Sequence, residues 1–285
     1  MTASWMLVAG FCFGTMAVFV KLGAPHFDPV ELAFYRSLGS MLLMLAVARW
    51  RRETVRSQHM HLHLFRSVAG IIGVGAYFYC IVELPLATAT TLNYTSPLFL
   101  AAIATLVLRE RFSGWLVVAI AAGFGGVALL LQPTFVEGKA VAGAIGLASG
   151  LVGAWAYLGV RELGRVREPE WRVLFWFGAV GAAGAAAWQL AFSGFHPVRW
   201  ENAWILAGLV VTGALGQLAL TRAYGQGNTL VAGTLSYSTI VFSAAYMPLL
   251  WDDRLSTAAW LGIAIIIAAG ILATVAGRPP AASRA

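Results

Sequence analysis

Two segments of this chain repeat one pattern at a distance of 143 residues. Leu92–Ser113 reads LNYTSPLFLAAIATLVLRERFS and Leu235–Ser256 reads LSYSTIVFSAAYMPLLWDDRLS. Eight of the 22 aligned positions are identical without a gap, among them Tyr94/Tyr237, Arg111/Arg254 and Ser113/Ser256. Asn93/Ser236, Thr95/Ser238 and Glu110/Asp253 change little. The beginnings of the two halves also align, at a shift of 140: Gly10 meets Gly150, Lys21 meets Arg161, and Pro29 meets Pro169. A second half that rewrites the first marks a duplication. It divides the chain into units 1–135 and 136–285.

Hydropathy decides what such a unit can be. Sixty per cent of the residues are hydrophobic, 11% are charged, and the mean hydropathy is +0.78. A soluble domain carries about a quarter charged residues. A helix crossing a bilayer needs about 20 apolar residues and satisfies its backbone internally. Ten segments meet that requirement: 3–22, 29–48, 64–84, 86–108, 114–132, 140–160, 172–192, 203–223, 230–250 and 258–277. Each half holds five of them, an odd number, so the second half enters the membrane upside down. The expected fold is therefore an all-α membrane protein of ten transmembrane helices, built as two five-helix inverted-topology repeats. With the termini in the cytoplasm, 14 of the 19 Lys and Arg residues fall inside and five outside, which sets both termini as cytoplasmic. Among the 14 is Arg66, beside the first inner loop. Trp50, Trp115, Trp171, Trp200, Trp204 and Trp251 sit near span ends, as an interfacial belt does. Pro97 and Pro248 fall inside spans and predict kinks.

Several function classes are excluded on the same grounds. The net charge of +7 does not mark a nucleic-acid binder, because the cations lie in short loops between apolar runs and no recognition motif accompanies them. Cys12 and Cys80 both lie in apolar segments and read as small buried hydrophobes. His59, His61 and His63 form H-x-H-x-H in the first inner loop, a solvated loop rather than a metal site. The N-terminus lacks a basic region and a cleavage site, and reads as a first span rather than a signal peptide. An intramembrane enzyme would need a catalytic pair in one plane, but the histidines fall in loops and the acids at span ends. No cofactor and no metal are expected.

The repeated segment resembles a known family. L-x-Y-[TS]-[SP] followed by an acidic-Arg-x-Ser corner, in ten spans of two halves, is similar to the drug/metabolite transporter superfamily, EamA type. LNYTSPLF and RERFSGWLVVAIAAGFGGVALLL carry the likeness most strongly, and it covers roughly 3–277. It implies export of small metabolites or organic cations. The general build is most similar to YddG-like bacterial exporters of aromatic and other neutral amino acids. The resemblance also implies a pathway lined by the first, third, fourth, sixth, eighth and ninth spans. The second and seventh lie more peripherally, and the fifth and tenth form a structural edge. The implied partners are a small-molecule substrate and the lipid bilayer of the bacterial inner membrane, for a chain acting as a monomer.

Polar groups near the midplane are costly and mark the candidate site. Asn93, Tyr94, Ser96 and Pro97 straddle the centre of the fourth span, and Tyr237 and Ser238 repeat them in the ninth. These are either substrate contacts or interhelical hydrogen bonds. Tyr77 and Tyr79 in the third span and Gln217 in the eighth join them, as do Trp155 and Tyr157 on the Gly/Ala-rich sixth. Gly70, Gly73, Gly213 and Gly216 read as packing devices. Arg36 is the deepest cation, about two turns into the second span, expected to snorkel to the outer interface, with a role in anion attraction as the minor alternative. No carboxylate lies mid-span, which favours an uncoupled facilitator working by alternating access over a proton-coupled pump. Uptake of another metabolite, or coupled export of a cationic drug, is the alternative.

Overall fold

The structure is a computed structural model that describes residues 2–84, 86–110, 112–133, 137–251 and 255–276. Within them the chain is helical: α1 (Thr2–Gly23), α2 (Pro29–Arg51), α3 (Met60–Glu83), α4 (Leu86–Asn93), α5 (Ser96–Ala102) with a π turn at Ile103–Val107, and α6 (Gly114–Leu131). There follow α7 (Ala140–Arg165), α8 (Glu170–Phe192), α9 (Trp200–Gln226), α10 (Thr229–Ser236), α11 (Ser238–Trp251) and α12 (Thr257–Ala276). Among the described residues, eight helical stretches are long and apolar enough to cross a membrane. The chain is a multi-pass membrane protein. Arg111, Asp253 and Arg254 of the repeated corner lie outside the described residues, as does Pro85. So do the side chains of Pro248 and Trp251, although α11 runs continuously past residue 248.

The helices pack in a recurring set of pairs. α1 lies along α9, and α3 lies along α7. α2 pairs with α8, and α6 with α12. The short helices also have matched neighbours: α4 and α5 sit against α7, while α10 and α11 sit against α1. The largest buried cluster joins Met6 and Ala9 of α1, Leu100 of α5, Ala154 and Leu158 of α7, and Tyr224 of α9 with residues of α10. Small residues let backbones meet where the hydrophobic effect gives no drive between helices in lipid. A Cβ at Gly126 would stand 2.9 Å from the Gly262 carbonyl, so α6 and α12 touch main chain to main chain.

The helices overrun the apolar segments at their ends. α2 reaches Arg51, α7 reaches Arg165, and α9 runs from Trp200 to Gln226. Some of the basic residues thus ride on helix ends instead of loops. Arg49, Arg51 and Arg165 occupy last turns, where cations complement the helix dipole. Trp50, Trp115, Trp200 and Trp204 are exposed as an interfacial belt requires, but Trp171 is buried at 5% exposure against Met44 and Ala48. One face of α8 carries it inward against α2, so its position near a span end does not place it in the belt.

The alternating histidines also have a structural use. His61 and His63 lie in the first turn of α3, where an i, i+4 spacing puts His59 and His63 on one face and exposes His61. Both approach Glu168 at the α7–α8 corner, at 3.5 Å and 3.7 Å. Ser57 donates to the same carboxylate, and Arg172 donates from 2.8 Å. Burial pushes Glu168 up, but the Ser57 hydroxyl and the Arg172 guanidinium outweigh it and hold the carboxyl below its usual range. The cluster ties the α2–α3 loop to the α7–α8 corner. Glu168→Gln is expected to lower stability by about 1–3 kcal/mol at pH 7. A depressed carboxylate contributes above the unfolded pKa of 4.5 and loses that contribution as pH falls through the native value. Thermal unfolding in detergent should therefore show the gap between wild type and variant closing below pH 4.5, and a pH-independent gap would remove the charge from the explanation.

Candidate functional site

The repeated motif breaks two helices at matching places. α4 ends at Asn93 and α5 begins at Ser96; α10 ends at Ser236 and α11 begins at Ser238. Tyr94 and Tyr237 occupy the two breaks. In the first, Pro97 has no N–H, so the Asn93 carbonyl loses its helical partner. The Thr95 hydroxyl and backbone N–H both donate to the Leu92 carbonyl, at 2.5 Å and 3.2 Å, and close the helix there. Pro97 then falls in the first turn of α5, where no donor is needed. The expected kink is instead a helix end followed by a new start. In the second break Ile240 stands where Pro97 does. Its N–H bonds only three residues back, to the Tyr237 carbonyl at 3.1 Å, while the Ser236 hydroxyl takes the Gly233 carbonyl at 2.7 Å. Hydroxyl side chains alone suffice to interrupt this copy.

Each break rests on a glycine of the matching helix in the other half. A Cβ at Gly150 of α7 would lie 3.0 Å from the Leu92 carbonyl and against the Thr95 hydroxyl. A Cβ at Gly10 of α1 would lie 3.2 Å from the Thr239 nitrogen and against the Ser238 hydroxyl. Gly146 and Gly14, one turn away, make room for Leu92 and Phe242 in the same manner.

Around the breaks the candidate residues divide into those brought together and those left apart. Tyr94 and Tyr237 have ring centroids 6.3 Å apart. The Tyr94 hydroxyl lies near Thr239, across to the other break. Tyr157 reaches Ser96 and stacks on Tyr224 at 4.7 Å with planes 11° apart. Asn93 donates to Ser149 of α7 at 3.2 Å, and Tyr77 shares a 2.9 Å hydrogen bond with Thr90. Both behave as interhelical bonds. Pro97 packs toward Gly233. Tyr237 is fully enclosed over Gly123 with its hydroxyl unpartnered, and the Ser238 hydroxyl is also buried without a partner. Trp155 and Tyr79 are exposed, and Trp155 stands edge-on to the exposed Phe65. Neither joins the cluster.

Gln217 lies apart from the tyrosines, in a small cavity with room for about one water. Arg36, Ser37, Ser40, Phe177 and Gly213 share its lining. Arg36 does not snorkel outward. Its guanidinium carbon stands 5.9 Å from the Phe177 ring centroid. Arg66 does not remain at the inner edge of the bundle either. It is buried at 4% exposure, with its guanidinium carbon 4.1 Å from the same ring.

Comparison with known proteins gives this geometry a family. The EamA-like transporter family model matches residues 1–132. An uncharacterized transporter of Helicobacter pylori is 30% identical over 277 residues, covering 94% of this chain and 93% of the relative. The chain belongs to the EamA-like transporter family. The pseudopaline exporter CntI of Pseudomonas aeruginosa is similar at 29% identity, covering 95% of this chain and 92% of that protein. A solved crystal structure superposes with a TM-score of 0.85 at 19% identity, covering 97% of each chain, and shows the fold alone. An EamA-like chain is a membrane transporter and not an enzyme.

The residues that sequence reasoning missed in this EamA-like transporter are Tyr224, Ser149, Arg66 and Phe177. Tyr224 lies just past the expected end of the eighth span at 223, and Arg66 counts among the inner cations, so neither stands out as a site residue. One signal was present for the arginines. Gly70 and Gly213 align at the repeat shift of 143, and each leaves a notch filled by an arginine, Arg66 and Arg36 respectively.

Proposed function

We propose that this chain exports small amphipathic metabolites, with aromatic and other neutral amino acids as the leading class, from the cytoplasm across a bacterial inner membrane. The observation that carries the reading is the pair of broken helices with Tyr94 and Tyr237 at their breaks, 6.3 Å apart. Discontinuous helices meeting near the midplane of two repeats are the setting in which transporters hold substrate. Ten spans follow if α4–α5 and α10–α11 each count as one. Two inverted units, 1–135 and 136–285, are supported by the matched pairings, since exchanging α1 with α7 and α3 with α9 carries the α1–α9 pair onto α7–α3. Both termini are then cytoplasmic by the distribution of Lys and Arg. Alternating access would rock these units about the breaks. The substrate-facing residues of this reading are Tyr94, Ser96 and Tyr157, with Tyr224 as the stacked wall. The named export function of the Pseudomonas relative supports the outward direction. An uncoupled facilitator is favoured because no carboxylate lies at the breaks.

Flux of labelled tryptophan and threonine into liposomes, with no ion gradient, tests the reading. Saturable flux is expected, and Tyr94→Ala is expected to lower it about tenfold while membrane insertion is retained. Flux of neither amino acid would overturn the substrate class, and wild-type flux in Tyr94→Ala would remove Tyr94 from the pathway.

A further inference from the structure

Two positive charges within the bundle, the buried Arg66 and the half-buried Arg36, have no counter-charge among the described residues. Arg66 enters the bundle from α3 and Arg36 from α2, and both turn to one ring, Phe177 of α8. Neither forms an ion pair or a hydrogen bond among the described residues, and the Arg66 Nε is buried without a partner. The groups that act on Arg66 electrostatically are Tyr157 and Arg36, a phenol and another cation. No acid is among the groups that act on either guanidinium, and several acids pair elsewhere: Glu31 with His196, Glu110 with Arg161, Glu168 with Arg172, and Glu170 with Arg222. An uncompensated charge in a protein interior is expensive, and a cation over one ring recovers only part of that cost. Guanidinium donors aimed into an enclosed space with no acceptor are complementary to an oxyanion.

We propose that Arg36 and Arg66 form a site for the carboxylate of the transported substrate, in the cavity beside Phe177 and Gln217. Arg36 and the Gln217 amide line that cavity and supply the donors. Arg66 adds a second positive charge from beside the same ring. Arg66 also acts electrostatically with Tyr157, whose ring stacks on Tyr224. The cavity itself is lined by none of the clustered tyrosines, so Arg66 is what relates the anion site to the aromatic cluster. A carboxylate at one end of a substrate is complementary to the two guanidinium groups. Gly70 and Gly213 are spent on this arrangement, because a Cβ at Gly213 would stand 3.0 Å from the Arg36 side chain, and one at Gly70 would meet the Arg66 guanidinium and the Phe177 ring. The inference rests on the transporter reading for its substrate, but the site can be tested without transport.

The test is thermal unfolding of the purified full chain in nanodiscs, titrated with sodium benzoate, with benzamide as the neutral isostere, and with sodium chloride and inorganic phosphate at matched ionic strength. Saturable stabilisation by benzoate is expected, with benzamide, chloride and phosphate leaving the transition in place. Arg66→Met and Arg36→Gln are each expected to weaken the benzoate response at least tenfold. Arg66→Met is also expected to hold or raise the transition temperature of the ligand-free protein, because it removes a buried unpaired charge. A structural arginine would lower it. Equal stabilisation by benzoate and benzamide overturns the proposal, as does an unchanged benzoate response in both variants. A response to chloride or phosphate equal to that of benzoate overturns the assignment to a carboxylate. Failure of tryptophan flux with an arginine-dependent benzoate response leaves this site standing and removes only the amino-acid reading. Tryptophan flux with no arginine dependence removes only this site.

Discussion

Gly150→Ala is expected to destabilise the protein by about 1–3 kcal/mol and to reduce transport at least in proportion, whereas Gly143→Ala in the same helix should be neutral or stabilising by about 0.5–1 kcal/mol. The contrast isolates packing from helix propensity. Both glycines lie in α7 (Ala140–Arg165), and alanine is the better helix former at each. At Gly143 an added methyl meets nothing within 4 Å. At Gly150 it would stand 3.0 Å from the Leu92 carbonyl and 3.3 Å from the Ser96 nitrogen. These are backbone atoms of the broken fourth segment, and they cannot turn aside as a side chain can. Relief requires α4 and α5 to withdraw from α7, which opens the contact that places Ser96 near Tyr157. Gly10→Ala should act the same way on Ser238 and Thr239 in the other half. Unfolding temperatures in detergent and liposome flux check both variants. Equal unfolding temperatures for Gly150→Ala and Gly143→Ala would sink the claim that backbone contact at the break is what the glycine provides.

The polar segments that hold the breaks were legible because a duplication doubles the signal, but the second break was not, since the kink expected in the ninth span is at Pro248 and α11 runs through that position. Tyr94 and Tyr237 stand out as a pair at one shift, and the polar run around each is costly in lipid unless it serves a purpose. The helical membrane fold followed from hydropathy with little else needed. Direction around a helix was not legible. Arg66 lies six residues into α3, so a linear reading assigns it to the inner edge, yet its face of the helix points between α7 and α8 toward Phe177. Trp171 was misplaced for the same reason. Both errors come from reading depth without azimuth, since a span end can present a residue to headgroups or to the bundle interior. Pro97 failed differently. Proline disrupts a helix it interrupts but is well suited to the first turn of a new one. Only the local hydrogen bonds of Thr95 show which of these applies. Tyr79 and Trp155 were chosen by residue type, and type does not say which way a ring faces.

Tyr237→Phe is expected to raise the unfolding temperature and to slow transport about five- to tenfold. The two effects have one origin. The Tyr237 side chain is fully buried, and its hydroxyl has no partner. A buried donor left unmade costs about 1–3 kcal/mol, so deleting the oxygen should stabilise this conformation by about 1 kcal/mol. Its counterpart differs. The Tyr94 hydroxyl lies near Thr239 of the second break, while Ser96, the position that matches Thr239 at the repeat shift, is taken by Tyr157. The two symmetry-related hydroxyls thus differ in surroundings: Tyr94 approaches Thr239, and the Tyr237 hydroxyl has no partner among the described residues. Under the alternating access proposed above, inverted repeats exchange conformations between the two states, so the missing Tyr237–Ser96 contact belongs to the opposite state. Phenylalanine removes a hydrogen bond available only there, worth about 1–1.5 kcal/mol, and shifts the balance toward the state seen here by about the stated factor. Tyr94→Phe should lack this stabilisation, because the Tyr94 hydroxyl is not among the buried unpartnered groups. Detergent unfolding and liposome flux on both variants read the two effects separately. A lower unfolding temperature for Tyr237→Phe, or wild-type flux alongside a higher one, would show that its hydroxyl has no part in the exchange.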